Sequence, residues 1–297
     1  MKKSYILLFL ILANLFWAGN YIFGKFVVAE LSPIQLTFTR WLIAAIFLFP
    51  LAHWIEKPDW KSVWKEWKVL SLMGMLGIIG YNFFLYWALT YTTSMNAALV
   101  NSITPAVIVL FSFLFLKEHI SFLHVIGLIL SLFGVLLVLT NGHLQTIFHL
   151  TFNSGDLLMI LAILVWTFYS LIAKKIKNVP AISATAVSVL IGVVLAAPFA
   201  IGSGLNLDLS NQAMVGILYI GIFPSVCSFI FWNISLRHID ASQAGVYLNL
   251  IVVFTAMLSL ILGQKITVVQ SLGGLLVFSG VYLTTKKKKD SKAMASP

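Results

Sequence analysis

Long apolar runs follow one another along the chain, and charged residues, Pro, Gly or Asn separate them. A bilayer core about 30 Å thick requires roughly 20 apolar residues per spanning helix. Ten runs have this length, and they cover residues 5–28, 34–55, 69–90, 94–116, 122–140, 155–174, 182–204, 213–236, 242–263 and 267–285. Strands of a transmembrane barrel would alternate over about ten residues, whereas these runs are continuous. The pattern therefore predicts an all-α polytopic membrane protein with ten transmembrane helices.

Short connections between the runs predict how they are arranged. The links at residues 31–33 and 264–266 have room only for a turn, so we expect consecutive helices to be antiparallel neighbours in one bundle. The first run follows Lys2 and Lys3, as the core of a signal peptide would, but it is too long and carries polar residues. We therefore expect it to be a retained first helix.

The composition excludes an ordinary soluble domain. Of the 297 residues, 60% are hydrophobic and 9% are charged, and the mean hydropathy is +1.00. In a soluble domain about a quarter of the residues are charged. The single cysteine, Cys227, excludes an intramolecular disulfide, and none of the six histidines recurs at metal-ligand spacing. The sequence therefore predicts neither a metal site nor a cofactor.

The net charge of +10 is unevenly distributed along the chain. With the N-terminus in the cytoplasm, 16 of the 19 Lys and Arg residues fall on the cytoplasmic side, namely Lys2, Lys3, Lys57, Lys61, Lys65, Lys68, Lys117, Lys174, Lys175, Lys177, Arg237, Lys286, Lys287, Lys288, Lys289 and Lys292. Such an excess predicts a multi-pass protein of the cytoplasmic membrane with both termini inside. We expect the basic tail to contact anionic membrane lipid, and the charge does not indicate a nucleic-acid partner.

An internal repeat relates the two halves of the chain. Residues 117–121 (KEHIS) recur 146 residues later as residues 263–267 (GQKIT), and Gly127 and Gly134 recur at the same offset. Weak internal similarity of this kind is typical of transporters. Each repeat has five helices, and because five is odd, the second repeat must lie inverted relative to the first. The predicted domains are a first repeat at 1–140, a linker at 141–154, a second repeat at 155–285 and a basic tail at 286–297.

Several motifs have the order and spacing of a known family. They are Trp17-Ala18-Gly19-Asn20, Arg40, Tyr86-Trp87-Ala88-Leu89, Asn96-Ala97-Ala98, Thr104-Pro105, Leu116-Lys117-Glu118, Phe231-Trp232-Asn233, residues 241–244 and Gly263-Gln264-Lys265-Ile266-Thr267. On these motifs the chain resembles the drug/metabolite transporter superfamily, and within it the ten-helix EamA-domain family of metabolite and amino-acid exporters. The resemblance covers residues 5–283 and implies export. The chain departs from the family pattern at Gln264, where Glu is usual, and at Ile251, where a proline is common.

Polar and aromatic side chains near the predicted midplane form the candidate substrate-binding site. A polar side chain inside a bilayer should face a cavity or a partner, and interhelical hydrogen bonding is the alternative role for each of them. The candidates are Trp17, Asn20, Arg40, Tyr81, Asn82, Asn101, Thr104, Trp166, Tyr169, Tyr247 and Asn249. Trp17 and Asn20 are three residues apart, as are Trp166 and Tyr169, so each pair shares one helix face.

Arg40 is the most informative charge, and three roles are open for it. It lies about two turns into the second helix from the outer side. There its guanidinium could snorkel to the interface, pair with Glu30 or bind a substrate carboxylate.

No carboxylate or histidine lies at the predicted membrane centre, although a proton-coupled pump usually needs a titratable relay there. We therefore expect facilitated transport or exchange. An intramembrane Asp pair, a Gly-x-Ser-x-Gly elbow and a His-Glu-x-x-His motif are absent from the sequence, so it predicts no catalytic residue. The resulting hypothesis is an alternating-access carrier, a monomer or weak homo-oligomer, that exports a small polar metabolite such as an amino acid. The alternatives are an intramembrane enzyme and a channel.

Overall fold

The computed structural model describes residues 2–88, 91–92, 94–149, 153–204, 206, 208–260, 263 and 265–285. Within the helices, the side chains of residues 21, 25, 26 and 94–96 are outside this description. The basic tail at 286–297, Gln264 and the side chain of Lys25 therefore lie outside the described residues.

Ten helices in the described part of the chain are long and apolar enough to cross a membrane. They are α1 (Lys3–Val27), α2 (Pro33–Glu56), α3 (Trp67–Ala88), α4 (Ala97–Leu116), α5 (Phe122–Thr140), α6 (Ser154–Lys175), α7 (Ala181–Gly202), α8 (Asn211–Leu236), α9 (Ala241–Ser259) and α10 (Val268–Thr285). Two short helical segments, Trp60–Lys65 and Leu144–His149, lie in connections. No described residue belongs to a β-strand. The predicted all-α fold with ten spanning helices is confirmed, and its boundaries agree to within a few residues.

Side-chain caps fix where several helices begin. The Ser32 hydroxyl accepts a hydrogen bond from the backbone N–H of Gln35, and the Gln35 side chain accepts one from the N–H of Ser32. This capping box starts α2, and Asn153 and Asp156 form the same box at the start of α6. Such caps satisfy N–H groups of the first turn that have no partner within the helix. The polar residues between the apolar runs therefore define the helix ends.

Several spanning helices depart from regular α-helix geometry. Turns of π-helix occur at Ala52–Glu56 in α2, Gly74–Gly80 in α3, Ser112–Leu116 in α4 and Phe223–Cys227 in α8, and a 3₁₀ turn occurs at Tyr247–Asn249 in α9. In α8 the turn contains Pro224, which has no N–H to donate. Turns of this kind often lie beside functional sites.

The last helices of the two halves, α5 and α10, pack along glycine faces. A Cβ atom added to Gly127 would lie 2.6 Å from the backbone oxygen of Gly280, and one added to Gly134 would lie 2.5 Å from that of Gly273. Gly273 and Gly280 are the repeat equivalents of Gly127 and Gly134, so each glycine contacts the equivalent of the other. Because the earlier glycine of α5 meets the later glycine of α10, and the later meets the earlier, these equivalent helices run antiparallel. The two five-helix halves are therefore inverted relative to each other.

Both described chain ends lie at the same end of the bundle, where the Lys3 ammonium donates a hydrogen bond to the Thr285 carbonyl oxygen over 2.7 Å. We call this end the terminus side and the other end the opposite side. Odd-numbered helices begin on the terminus side, and even-numbered helices end there.

Repeat-equivalent helices pack against each other across the two halves. Helix α2 lies along α7, and the second half of α4 packs against the first turns of α9. Helix α1 packs against α8 and α9, so the two halves share one buried core. The candidate functional site lies within this interface between the halves.

Candidate functional site

A central chamber of about 60 Å³ lies between α1, α2, α3, α4, α6, α8 and α9. The predicted candidates Trp17, Asn20, Arg40, Tyr81, Asn82, Asn101, Thr104 and Trp166 line it, together with Leu85, Phe229, Leu248 and Ile251. This volume holds only a few water molecules, so a metabolite would have to widen the chamber as it enters.

The Arg40 guanidinium is buried in this chamber among neutral partners, and the residue is 3% exposed. Its Nε donates to the Ser225 hydroxyl over 2.9 Å, and its Nη1 donates to Asn82 Oδ1 over 3.1 Å and to the Tyr86 hydroxyl over 3.4 Å. Within the described residues, no hydrogen bond uses Nη2 and no carboxylate lies within ion-pair distance of Arg40. The positive charge is therefore uncompensated, and a bound anion would stabilise it.

The partners of Arg40 are themselves held in place. Ser225 donates its hydroxyl proton to a backbone carbonyl of α8 over 2.8 Å, and the Asn82 amide nitrogen donates to a backbone carbonyl of α3 over 2.9 Å. Both side chains therefore present an oxygen acceptor to the guanidinium. The Arg40 Cζ atom also lies 5.1 Å from the centroid of the Trp41 ring, a cation–π distance. The orientation of Arg40 is thus fixed from several directions.

Asparagine and threonine side chains supply further hydrogen-bonding groups. Among the residues that the structure describes, the buried Oδ1 atom of Asn20 has no hydrogen-bond partner. The Thr104 hydroxyl donates to the backbone carbonyl of Asn101 over 2.6 Å. Because an unpaired buried acceptor is unfavourable, Asn20 is suited to accept a hydrogen bond from an N–H or O–H group of a ligand.

Aromatic rings form one wall of the central chamber. The Trp17 and Trp166 rings pack edge to face with their centroids 5.4 Å apart, and Tyr81 lies 5.2 Å from Trp166. Phe229 packs edge-on against both tryptophans. The Trp17 indole N–H donates to the Pro224 carbonyl oxygen over 3.2 Å, which holds the ring in place. Such a wall can contact an apolar or a cationic part of a ligand.

A larger outer chamber of about 250 Å³ continues from the central chamber. The two chambers share Asn101, Leu248 and Ile251 in their linings. The polar residues of the outer chamber are Asn101, Ser102, Asn249, Thr255, Ser259, Lys265 and Gln270. They come from the start of α4, the end of α9 and the region around the start of α10, all of which lie on the opposite side. The route out of the central chamber therefore leads to the opposite side.

Three predicted candidates lie outside the central chamber. Asn249 lines the outer chamber. Tyr169 lines neither chamber, and its hydroxyl is hydrogen-bonded to the Asn233 amide instead, with oxygen–nitrogen distance 2.8 Å. Tyr247 is 3% exposed and also lines neither chamber. These two tyrosines face the packed interior of the bundle.

Two of the three roles considered for Arg40 are wrong. Its guanidinium does not snorkel to the interface, because the residue is buried. It does not pair with Glu30, because the Glu30 carboxylate accepts hydrogen bonds from the backbone N–H and the hydroxyl of Ser210 at the start of α8. These hydrogen bonds lower the pKa of Glu30 below its usual value. The remaining role, binding of a carboxylate, agrees with the neutral surroundings of Arg40.

Sequence reasoning did not select Tyr86 and Phe229 as site residues. Tyr86 lies four residues after Asn82 on α3, and Phe229 lies four residues after Ser225 on α8. Residues four apart share a helix face, so this spacing was the signal that could have identified them.

The described lining of the central chamber contains one charged side chain, Arg40. Across the described ranges, no group of three or more His, Cys, Asp or Glu residues could hold a metal ion. The chemistry that this chamber offers is therefore that of one cation, neutral polar groups and aromatic rings.

Comparison with known proteins gives a match over nearly the whole chain. The model of the EamA-like transporter family matches residues 4–140 and residues 153–286. The chain is 30% identical to an uncharacterized transporter of Archaeoglobus fulgidus, over 97% of this chain and 99% of that protein. It is 27% identical to the uncharacterized transporter YyaM of Bacillus subtilis, over 95% of this chain and 93% of that protein. A solved crystal structure at 22% identity superposes with a TM-score of 0.80 and covers 96% of this chain and 98% of its own, which shows the same fold.

Proposed function

Because the chain belongs to the EamA-like transporter family, we propose that its central chamber binds a small metabolite with a carboxylate group, such as an amino acid, and that the protein exports it by alternating access. The observation that carries this proposal is the buried guanidinium of Arg40, whose described partners are all neutral. A carboxylate supplies the missing negative charge, and its two oxygens match the planar fork of the guanidinium.

The other groups of the chamber fit the rest of such a substrate. The Oδ1 atom of Asn20, which has no partner among the described residues, accepts a hydrogen bond from an ammonium, amide or hydroxyl group of the substrate. The ring wall of Trp17, Trp166, Tyr81 and Phe229 contacts its apolar part. Selectivity then comes from two buried groups, the Arg40 guanidinium and the Asn20 Oδ1 atom, which the substrate pairs when it binds.

The inverted repeats support alternating access, because they permit the same two halves to open on either side of a fixed site. The Lys and Arg partition supports a cytoplasmic terminus side in the cell membrane. The outer chamber then faces the outside, and export requires a second state in which the central chamber opens to the cytoplasm. The described lining of both chambers contains no carboxylate, which supports exchange or facilitated transport without proton coupling in the chamber.

The proposal can be tested by counterflow of labelled amino acids in proteoliposomes that contain the purified protein. For the best substrate, we expect the free acid to compete, and its methyl ester and the decarboxylated amine to compete at least about tenfold more weakly, because both lack the carboxylate that pairs with Arg40. Arg40→Lys keeps the charge but loses the fork, and it should weaken transport. Tyr247→Phe is the matched control, since Tyr247 lines neither chamber, and it should transport normally.

Equal competition by the ester and the free acid would contradict the carboxylate proposal. Single-channel currents would indicate a channel, and chemical conversion of the labelled solute would indicate an intramembrane enzyme. Either result would contradict the carrier.

A further inference from the structure

Glu118, just beyond the terminus-side end of α4, holds the first turn of α9. Its carboxylate accepts hydrogen bonds from the backbone N–H groups of Ala241 (2.7 Å) and Ser242 (2.9 Å) and from the Ser242 hydroxyl (2.6 Å). Glu118 is 8% exposed, and the Lys174 ammonium lies 3.7 Å from its Oε1 atom. A negative charge at a helix N-terminus is favourable. Because Glu118 belongs to the first half and α9 to the second, this contact joins the two halves.

Glu56, at the terminus-side end of α2, makes the same three contacts with α7. Its carboxylate accepts hydrogen bonds from the backbone N–H groups of Ile182 and Ser183, both at 2.8 Å, and from the Ser183 hydroxyl at 2.6 Å. Helices α2 and α7 are repeat equivalents, as are α4 and α9. Both pairs are therefore closed on the terminus side by the same chemistry.

The two pairs differ at their other ends. Helices α2 and α7 are also tied on the opposite side, where the Gln35 amide donates to the Ser203 hydroxyl over 3.3 Å and to the Gly204 carbonyl over 2.9 Å. As far as the described residues extend, no hydrogen bond joins α4 to α9 on that side. Ala98 of α4 and Thr255 of α9 line the outer chamber there instead. The α2–α7 pair is thus held at both ends, and the α4–α9 pair is held at one.

The sequence of the two repeats favours closure of α4 and α9 on the terminus side. Gly245 of α9 lies so close to α4 that an added Cβ would be 2.9 Å from the Cγ2 atom of Ile108. At the repeat offset of 146 residues, Leu99 is the equivalent of Gly245, and Gln264 is the equivalent of Glu118. For closure of α4 and α9 on the opposite side, the sequence therefore offers Leu99 where the terminus side has Gly245, and the neutral amide of Gln264 where it has the carboxylate of Glu118.

We propose that Glu118 is the positioning residue that keeps the terminus side of the α4–α9 pair closed, and that release of α9 from its carboxylate opens the central chamber to that side. This inference rests on the alternating-access part of the proposed function and is independent of the substrate. Glutamine at position 118 keeps the size of the side chain, but it removes the charge and leaves one acceptor oxygen where the carboxylate has two. At least one of the three contacts is then lost, and the closed state becomes less populated.

The test uses single-cysteine accessibility in a Cys227→Ser background, since Cys227 is the one cysteine of the chain. Ala244→Cys on α9 and Ala184→Cys on α7 are the reporters, and both alanines are at most 1% exposed. A membrane-impermeant maleimide is added on the terminus side of reconstituted vesicles without substrate. Glu118→Gln should raise the labelling rate at position 244 about tenfold, because charge-assisted hydrogen bonds are lost.

Glu56→Gln is the matched control and should change the labelling rate at position 184 by less than about twofold, because α7 is still tied to α2 on the opposite side. If Glu118→Gln does not fold, Ser242→Ala removes one of the three hydrogen bonds and should raise labelling at position 244 about threefold. Ser183→Ala is its counterpart on α7 and should leave labelling at position 184 unchanged.

The inference would be overturned if Glu118→Gln left the labelling rate at position 244 unchanged. If Glu118→Gln does not fold, the same result in Ser242→Ala would overturn it. Equal increases at position 244 in Glu118→Gln and at position 184 in Glu56→Gln would also overturn it. Because labelling needs no substrate, it separates the two proposals. Raised labelling combined with equal competition by acid and ester would contradict only the carboxylate substrate. Unchanged labelling with normal dependence of transport on Arg40 would contradict only the role of Glu118.

Discussion

The α2–α7 pair and the α4–α9 pair are built from equivalent helices of the two halves, yet they are held differently. Glu56 and Gln35 tie α2 to α7 on both sides of the bundle. Glu118 ties α4 to α9 on the terminus side alone, and the outer chamber separates their other ends among the described residues. The difference indicates which helices move. The α2–α7 pair is held at both ends, and we call it the fixed pair. The α4–α9 pair is held at one end, and we call it the mobile pair, because it can open on the terminus side as it closes on the opposite side.

The central chamber lies between these two pairs and takes groups from each. Arg40 comes from α2 of the fixed pair, whereas Asn101 and Thr104 come from α4 of the mobile pair. In the proposed transport cycle, the fixed helix α2 makes the charged contact with the substrate and the mobile helix α4 makes neutral contacts. Under that proposal, this division keeps the substrate bound to Arg40 while the open side of the chamber changes.

The largest effect is expected from removing the contact that the fixed pair makes with the substrate. Arg40→Ala should lower kcat/KM for transport about 100-fold, because a hydrogen bond to a charged group contributes about 1.5–3 kcal/mol. Asn101→Ala, on the mobile pair, should lower it only about fivefold, since a neutral hydrogen bond contributes about 1 kcal/mol. Initial rates of counterflow in proteoliposomes measure both. Equal losses in the two variants would contradict the division of contacts between α2 and α4.

The α5–α10 pair extends the comparison, because its glycines bring the two backbones together along the whole contact. Gly134→Ala places a methyl group 2.5 Å from a backbone oxygen and should lower the free energy of unfolding by about 1–3 kcal/mol. Gly24→Ala is the control, since nothing lies within 4 Å of its added Cβ, and it should be neutral or stabilising by up to about 1 kcal/mol. Thermal unfolding in detergent compares the two. Similar losses of stability would show that α5 and α10 do not pack as closely as described.

Removing the second tie should convert the fixed pair into a mobile one. Gln35→Ala alone leaves the Glu56 cap in place and should not change maleimide labelling of Ala184→Cys from the terminus side. The combination of Gln35→Ala with Glu56→Gln should raise it about threefold, because neither end of α2 then holds α7. If the combined variant raised labelling at position 184 only by the sum of two small single effects, packing along α2 and α7 would keep this pair fixed, and not the end contacts.

The smallest effect concerns Glu30, which ties α1 to the start of α8 on the opposite side. Hydrogen bonds from Ser210 lower its pKa below the usual value of 4.5. A carboxylate with a lowered folded-state pKa stabilises the fold above its unfolded-state pKa, and this contribution disappears as the pH falls through the folded-state value. The melting temperature of the parent should therefore fall slightly more below about pH 4.5 than that of Glu30→Gln. Because the hydrogen bonds between Glu30 and Ser210 are exposed to solvent, a large difference between the parent and Glu30→Gln would contradict this assignment.

The positions of the helices were predictable from the sequence because bilayer thickness dictates the length of each apolar run. The three-residue spacing of Trp17 and Asn20 correctly predicted that both line one chamber, whereas of Trp166 and Tyr169, at the same spacing, only Trp166 lines it. Depth in the membrane, however, does not determine rotation about the helix axis. Tyr169 and Tyr247 lie within spanning helices, as predicted, but they face the packed interior, where Tyr169 is hydrogen-bonded to Asn233.

The environment of Arg40 could not be derived from the sequence. Its partners Asn82 and Ser225 lie 42 and 185 residues away, on helices whose contacts with α2 depend on how the two halves pack. The sequence repeat did show that Glu118 and Gln264 occupy equivalent positions. The role of that difference required the structure, because the cap on α9 joins residues 123 and 124 positions apart.

The most direct test of the account is a distance measurement by electron paramagnetic resonance on the terminus side, with nitroxide pairs on exposed residues at that end of each helix pair. One pair of labels, at Phe115 of α4 and at His238 in the connection that leads into α9, reports on α4 and α9. The other, at Trp54 of α2 and at Asn178 in the connection that leads into α7, reports on α2 and α7. We expect the α4–α9 labels to show a second, longer distance whose population increases in Glu118→Gln, while the α2–α7 labels keep a single distance in the parent, in Glu118→Gln and in Glu56→Gln. A single α4–α9 distance in Glu118→Gln, or a second distance of equal weight between α2 and α7, would contradict the account.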